Sequence, residues 1–273
     1  MELVAFDLDG TLLNRHQRLS QYTIETLERL KSAGVFYTVV TGRSHFAAMP
    51  CIQGHAFPNW QIFKNGVEWW NPQKQHYRHN NLLSQNHITT LLDSFRTHKV
   101  TPYIFCLEED GSHRVYHSAS QGGSDDRIAK ELGSHENMSL HPLDELSHTA
   151  RITNISAMGH PEIIKNIIKD AHGHDHLTAY SGGGIYDPNA FWLDIHHSNV
   201  NKGAALAELK AEIGAKTILA FGDGDNDLSM FEVADEAFAT ENAAEHVKQA
   251  ASHLVGHHDE DGVAKYLRKR YDL

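Results

Sequence analysis

The feature that most constrains this 273-residue chain occurs twice: a short, wholly apolar run that stops at an aspartate-rich turn. Leu3-Val4-Ala5-Phe6 runs into Asp7-Leu8-Asp9-Gly10, and Thr217-Ile218-Leu219-Ala220-Phe221 runs into Gly222-Asp223-Gly224-Asp225-Asn226-Asp227. An apolar run without alternation reads as a strand buried on both faces, which implies a parallel sheet covered by helices on both sides. Such sheets bind ligands beyond the carboxyl ends of their strands, where both acidic turns fall. Residues two apart on a strand share a face, so Asp7 and Asp9 are expected to converge. Three or four carboxylates gathered there repel one another unless a cation neutralises them, and an all-oxygen set suits Mg2+. Either run alone reads equally well as a simple turn. The two together, each directly after an apolar strand, favour a site.

The remaining pattern fits this fold class. Ser20 is placed to cap a helix through Ile24, Leu27 and Leu30 that ends at Gly34. Strands follow over 35–40 and 60–63, and helices over 202–213, 228–234, 242–251 and 263–270. Strand and helix alternation means an α/β, doubly wound parallel sheet. The middle differs, with a helix near 84–99 and two runs, 103–107 and 113–117, flanking Asp110-Gly111 as in a hairpin. Runs over 128–132, 152–158, 163–171, 177–180 and 192–195 continue it as mixed helix and strand. The expected organisation is a core of 1–80 and 196–273 with an α+β domain of 81–195 inserted into it.

Two further elements point to an anion at the same sheet edge. Thr41-Gly42-Arg43 follows the second strand, where a hydroxyl and free backbone N–H groups can hold a phosphate oxygen. Lys202-Gly203 opens a helix, placing an ammonium at an end that itself favours anions.

With 24 basic and 35 acidic residues the net charge is −11, which argues against nucleic acid and anionic membranes as partners. No apolar run approaches the ~18 residues of a membrane span. The two cysteines, Cys51 and Cys106, read as small buried hydrophobes in a reducing compartment, so a cytoplasmic protein is expected. Twenty-two histidines invite a metal reading, but His172-Gly173-His174-Asp175-His176 lacks a recognisable ligand spacing. These and His257-His258 read as exposed loop residues, while His196-His197 close a strand. Trp69 and Trp70 read as packing residues.

In order, Asp7-Leu8-Asp9-Gly10-Thr11-Leu12-Leu13, Thr41-Gly42-Arg43, Lys202-Gly203 and Gly222 to Asp227 resemble the four motifs of the haloacid dehalogenase superfamily. The details are similar to its Cof-type branch with a C2B cap, the cap falling on the insertion. Lys64-Asn65-Gly66, Asn242-Ala243 and Asp261-Gly262-Val263-Ala264 match as well, although Thr240-Glu241 stands where the family often has Met-Gly. The resemblance implies a phosphatase acting on a small phosphorylated metabolite, sugar phosphates first, then pyridoxal phosphate or nucleotide monophosphates. It implies Asp7 as nucleophile, forming an aspartyl-phosphate, and Asp9 as general acid and base. It also implies Mg2+ held by Asp7, the Asp9 carbonyl and Asp223, with Asp227 orienting a ligand. Leu8, Thr41, Gly42, Lys202 and Asn226 would surround the phosphate. Arg43, Asn65 and Gly66 are candidate substrate contacts, with an ion pair the other reading of Arg43. A phosphomutase with the same nucleophile, or a non-catalytic phosphate-sensing module, are the alternatives; a monomer or homodimer is expected.

Overall fold

Strand β1 (Glu2–Phe6) of the computed structural model lies between β2 (Phe36–Val39) and β12 (Thr217–Gly222), which accounts for its unbroken apolar run. Beyond β12 come β13 (Glu236–Thr240) and β14 (His253–Val255), and all five strands are parallel. The structure describes residues 1–107, 112–118, 129–130, 132–133, 138–183 and 189–273. Val4 and Phe6 pack with Tyr37, Val39, Phe221 and Phe238 under the helices Gln21–Ser32 and Gly262–Tyr271. Leu3 and Ala5, on the other face, pack with Ile218, Ala220 and Ala237 under Lys202–Ile213 and Leu228–Val233. Each face removes its apolar side chains from water, and that burial is the main force holding the layers together.

The ends of the elements follow local chemistry. Ser20 Oγ accepts from Thr23 N at 3.0 Å and starts the first helix as expected. The helix expected over 242–251 begins only at Glu245, because Asn242 is engaged elsewhere. The expected strand over 60–63 is β3 (Gln61–Phe63), which pairs antiparallel with β4 (Glu68–Asn71), itself paired with β5 (His76–His79); β4, β5, β13 and β14 were not evident in the sequence. Trp69 is fully buried in β4 and donates Nε1 to the Gly66 carbonyl at 2.8 Å, a packing role.

One buried histidine supports this core directly. His55 Nε2 meets the Tyr37 hydroxyl at 2.8 Å, and its Nδ1 meets Glu28 Oε1 at 2.8 Å. Burial lowers the imidazole pKa, with Glu28 opposing. A folded pKa below the unfolded value of about 6.5 means that this contribution is present above that pH and lost as pH falls through it. We expect His55→Gln to show a shallower loss of stability below about pH 6.5 than the wild type, by up to ~1.4 kcal/mol per pH unit, in urea melts across pH. Identical slopes would show that His55 does not titrate on unfolding.

The chain divides into two compact units, Met1–Asn80 with Val200–Leu273, and Asn81–Asn199. The second unit has a six-stranded sheet in the order β10 (Leu177–Gly183), β11 (Phe191–His197), β9 (Arg151–Gly159), β6 (Tyr103–Leu107), β7 (His113–His117), β8 (Met138–Pro142). Its neighbours pair antiparallel except β7 and β8. Ile88, Leu91 and Phe95 of Gln85–His98, and Ile164, Ile167 and Ala171 of Pro161–His172, pack on Ile104, Ile155, Leu193 and Ile195. The Asp110-Gly111 turn and residues 128 and 131 of the run 128–132 lie outside the described residues, while 129, 130 and 132 are helical. Cys51 and Cys106 are buried free thiols, and His172, His174 and His176 are exposed, as read from the sequence. His196 is instead wholly buried. Among the described residues no helix is long and apolar enough to cross a membrane.

Candidate active site

The parallel register of β1 and β12 sets Phe6 beside Phe221, and Asp7 N continues the ladder by donating to the Phe221 carbonyl at 2.9 Å. Both acidic turns therefore start at the same level of one sheet edge. Past Asp7 the chain coils tightly over Leu8–Leu12, with Leu13 N returning to the Leu8 carbonyl at 2.8 Å. Gly10 sits at φ +71°, and a Cβ there would lie 2.1 Å from Asp223 Oδ2, so only glycine lets the two turns meet. The strand has ended by then, so the alternation expected for Asp7 and Asp9 does not apply. Asp7 is buried, whereas Asp9 turns outward to Arg43, whose Nε and Nη2 donate to its two oxygens at 2.6 and 2.7 Å. Arg43 thus takes the ion-pair alternative.

Lys202 joins the acidic groups. Its buried Nζ donates to Asp7 Oδ1 and to Asp227 Oδ1, each at 2.6 Å. Asn201 caps its helix through Ala204 N at 2.7 Å. A Cβ on Gly203 would lie 1.9 Å from the Ser229 carbonyl, so this glycine lets the helix end pack against the helix Leu228–Val233 that follows the Asp223 loop. Asp227 Oδ2 accepts from Asp223 N and Gly224 N at 2.9 and 3.0 Å, which fixes that loop. Asp223 Oδ1 accepts from the Thr11 hydroxyl at 3.1 Å.

Carboxylate oxygens of Asp7, Asp223 and Asp227 lie within 4.8 Å of one another. Burial raises the Asp7 carboxyl well above its usual pKa, Lys202 pulls it down, and Asp227 and Asp223 push it up again. Burial and the Asp227 charge raise Asp223 to about 6. Burial disfavours the Lys202 ammonium, but Asp227 and Asp7 outweigh it and hold its pKa above the usual value. One ammonium among three carboxylates leaves an excess of negative charge, and the donors are all hard oxygens. That combination fits a small divalent cation such as Mg2+.

The third side comes from the loops after β2 and β3. Thr41 is buried and its hydroxyl accepts from Arg43 N at 3.2 Å; Asn65 N donates to the Thr41 carbonyl at 3.0 Å. Asn226 Nδ2 donates to Asn65 Oδ1 at 2.9 Å, and Gly42 lies beside both side chains. Leu8 is buried, and Gly66 packs closely on Asn201 and Ala205.

Three residues support the site through contacts that the sequence did not show. Thr240 Oγ1 and Asn242 Nδ2 donate to the Gly10 carbonyl at 3.1 and 2.8 Å, and Asn242 Nδ2 also reaches Asp223 Oδ2 at 3.4 Å. His258 meets the Leu13 carbonyl through Nδ1 at 2.7 Å and donates its backbone N–H to Asn242 Oδ1 at 3.2 Å. His257 and His258 are half-buried, which corrects their reading as exposed loop residues. His257, His258 and Asp259 also lie close together, but Arg15 already occupies both Asp259 oxygens. Had β13 been evident, Asn242 would have stood at the carboxyl edge of the sheet beside Gly10.

Comparison with known proteins agrees with this geometry. The profile described as haloacid dehalogenase-like hydrolase matches residues 4–267. The chain is 28% identical over 284 residues to the 5-amino-6-(5-phospho-D-ribitylamino)uracil phosphatase YitU of Bacillus subtilis, covering 99% of this chain and 98% of that one. It is 25% identical to the pyridoxal phosphate phosphatase YbhA of Escherichia coli, covering 97% of each. A haloacid dehalogenase-like hydrolase from Bacteroides thetaiotaomicron shares the fold with a TM-score of 0.77 at 23% identity, covering 98% of this chain and 99% of that one. An acidic sheet edge bridged by a buried lysine, on a fold matched from end to end, places this chain in the haloacid dehalogenase-like hydrolase family.

Proposed function

We propose that the protein is a Mg2+-dependent phosphatase of small phosphomonoesters that works through an aspartyl-phosphate on Asp7. The observation that carries this reading is the Lys202 bridge between Asp7 and Asp227 beside Asp223, since it assembles a nucleophile, a cation site and a phosphate-facing ammonium at one point. Asp7 attacks phosphorus in line, and the bond to the leaving oxygen breaks as that oxygen takes a proton from Asp9. Water then attacks the acyl phosphate, giving a proton to Asp9 and releasing phosphate, which restores Asp7. Arg43 donates from Nε and Nη2 to the two Asp9 oxygens, which fixes where the acid and base group sits.

Lys202, the Thr41 hydroxyl, Asn226 and the backbone at Leu8 and Gly42 surround the transferring group and balance its charge. Asp7, Asp223 and the Asp9 carbonyl would hold Mg2+, with Asp227 orienting them through Lys202 and the 223–224 backbone. When bound, Mg2+ offsets the carboxylate charge and withdraws electrons from the phosphoryl oxygens. The names of the relatives, a phosphoribitylamino-uracil phosphatase and a pyridoxal phosphate phosphatase, support a small phosphorylated metabolite as substrate. Within that class this reading puts sugar phosphates first and pyridoxal phosphate or nucleotide monophosphates next.

The acid role is tested by leaving group. We expect Asp9→Asn to lower phosphate release from glucose 6-phosphate by ~10^2-fold or more, and from p-nitrophenyl phosphate far less, because nitrophenolate departs without a proton. Equal losses on both esters would remove the acid role. Rearranged ester without free phosphate would point to a mutase.

A further inference from the structure

The loop that follows β2 is held from one side by the hairpin sheet of β3, β4 and β5, at every second residue. Asn65 N donates to the Thr41 carbonyl at 3.0 Å, Lys64 N donates to the Arg43 carbonyl at 2.8 Å, and His45 N donates to Glu68 Oε1 at 3.0 Å. The first two contacts depend on an unusual backbone. Lys64 at φ +46° and Asn65 at φ +53° are successive non-glycine residues in the left-handed region, which side chains rarely adopt. A turn of this kind points successive N–H groups to one side, here into the loop. Such strain persists only where the surroundings enforce it, and it gathers at functional positions.

A trans peptide unit points its carbonyl and its N–H in opposite directions. With the Thr41 and Arg43 carbonyls turned to the hairpin, the N–H groups of Gly42 and Ser44 are turned away from it, and neither meets an acceptor among the described residues. Glu68 fixes the far end of this loop. It has no exposed surface in β4, and Lys64 Nζ and His79 Nε2 lie 3.8 and 3.9 Å from its Oε2. One carboxylate thus joins the loop to the side chain of the strained Lys64. The His45 ring docks on the same sheet, with the rings of Phe63 and Trp70 each 5.1 Å away and the Tyr77 hydroxyl 2.5 Å from Nδ1. Burying a carboxylate is costly, and an apolar side chain would fill this place in β4 without that cost.

We propose that Glu68 is a positioning residue for phosphate binding, clamping the end of the 41–45 loop while the Lys64-Asn65 turn holds its start, so that the Gly42 N–H stays aimed at the phosphoryl group. The inference rests on the phosphatase reading above and adds what sets the geometry of its phosphate donors. Glu68 acts through His45, and two conservative variants separate its reach from its charge. Glu68→Gln keeps an oxygen at the His45 N–H and loses the charge. Glu68→Asp keeps the charge and withdraws the oxygen by one methylene.

Inhibition by inorganic phosphate at saturating Mg2+, with KM for p-nitrophenyl phosphate, reads the phosphate donors, and calorimetry with Mg2+ alone reads the carboxylate cluster. Glu68→Asp should weaken phosphate inhibition and raise KM on the order of 10-fold, the scale of one lost hydrogen bond to a charged group, while Mg2+ affinity stays within about twofold. Glu68→Gln should stay within about threefold of the wild type in all three measurements. The reverse ranking of the two variants, or phosphate binding unchanged in both, would overturn the proposal. Equal losses of phosphate and Mg2+ affinity would overturn it too, because a general loosening moves both. If no ester is hydrolysed, the phosphatase reading fails by itself, and amide hydrogen exchange decides on the clamp. A His45 N–H that exchanges slowly in the wild type and in Glu68→Gln, and at least about tenfold faster in Glu68→Asp, supports it. A His45 N–H that exchanges as fast as an exposed amide in the wild type refutes it, whether or not the variants fold.

Discussion

Asp7→Asn is expected to lower Mg2+-dependent phosphate release by at least ~10^4-fold, without loss of the fold. An amide oxygen can still accept from Lys202, so the buried ammonium keeps Asp227 and a neutral partner. What disappears is the negative charge that attacks phosphorus. The same change removes one of three clustered carboxylates, the one that burial, Asp227 and Asp223 all make costly to ionise. In the absence of divalent cation the melting temperature of the variant should therefore equal or exceed that of the wild type. A phosphate-release assay beside thermal melts in EDTA checks both parts. Substantial residual turnover would remove Asp7 from the nucleophilic role, and a large drop in melting temperature would show that its charge is structural.

Lys202→Met should be the most destabilising change at the site. The ammonium is wholly buried and is the shared partner of Asp7 and Asp227. Methionine fills similar space but leaves three carboxylates in a buried cluster with no cation. Removing one partner of a buried ion pair typically costs about 3–5 kcal/mol, so the variant should lose at least about 3 kcal/mol. Because the loss is one of countercharge, Mg2+ should stabilise the variant more than it stabilises the wild type, and turnover should remain about 10^2- to 10^3-fold down even with Mg2+ present. Denaturant melts with and without Mg2+ measure this directly. Equal Mg2+ effects on both proteins would contradict the electrostatic account of Lys202.

The apolar runs of β1 and β12 made the parallel sheet and its acidic edge legible because strands buried on both faces leave an unbroken signal. Strand β13, Glu-Ala-Phe-Ala-Thr, has one large apolar residue and small neighbours, so its burial depends on Phe221 and the helices around it rather than on its own pattern. With β13 unseen, Thr240 and Asn242 lost their place beside Gly10. The outward turn of Asp9 was equally hidden, since it depends on where the strand ends and on an arginine 34 residues away. His258 and His196 looked alike as members of histidine pairs. Only tertiary structure separates one that supports the Leu13 carbonyl from one buried in a second sheet.

The central claim is that phosphate passes through Asp7. It is tested most directly by mixing excess enzyme with a 32P-labelled phosphomonoester and Mg2+, quenching in acid during the first turnover, and mapping the label. The account predicts acid-stable, hydroxylamine-sensitive label on the peptide that contains Asp7, rising and decaying as free phosphate appears, and none in Asp7→Asn. Label on another residue, or free phosphate formed at the wild-type rate by Asp7→Asn, would contradict it.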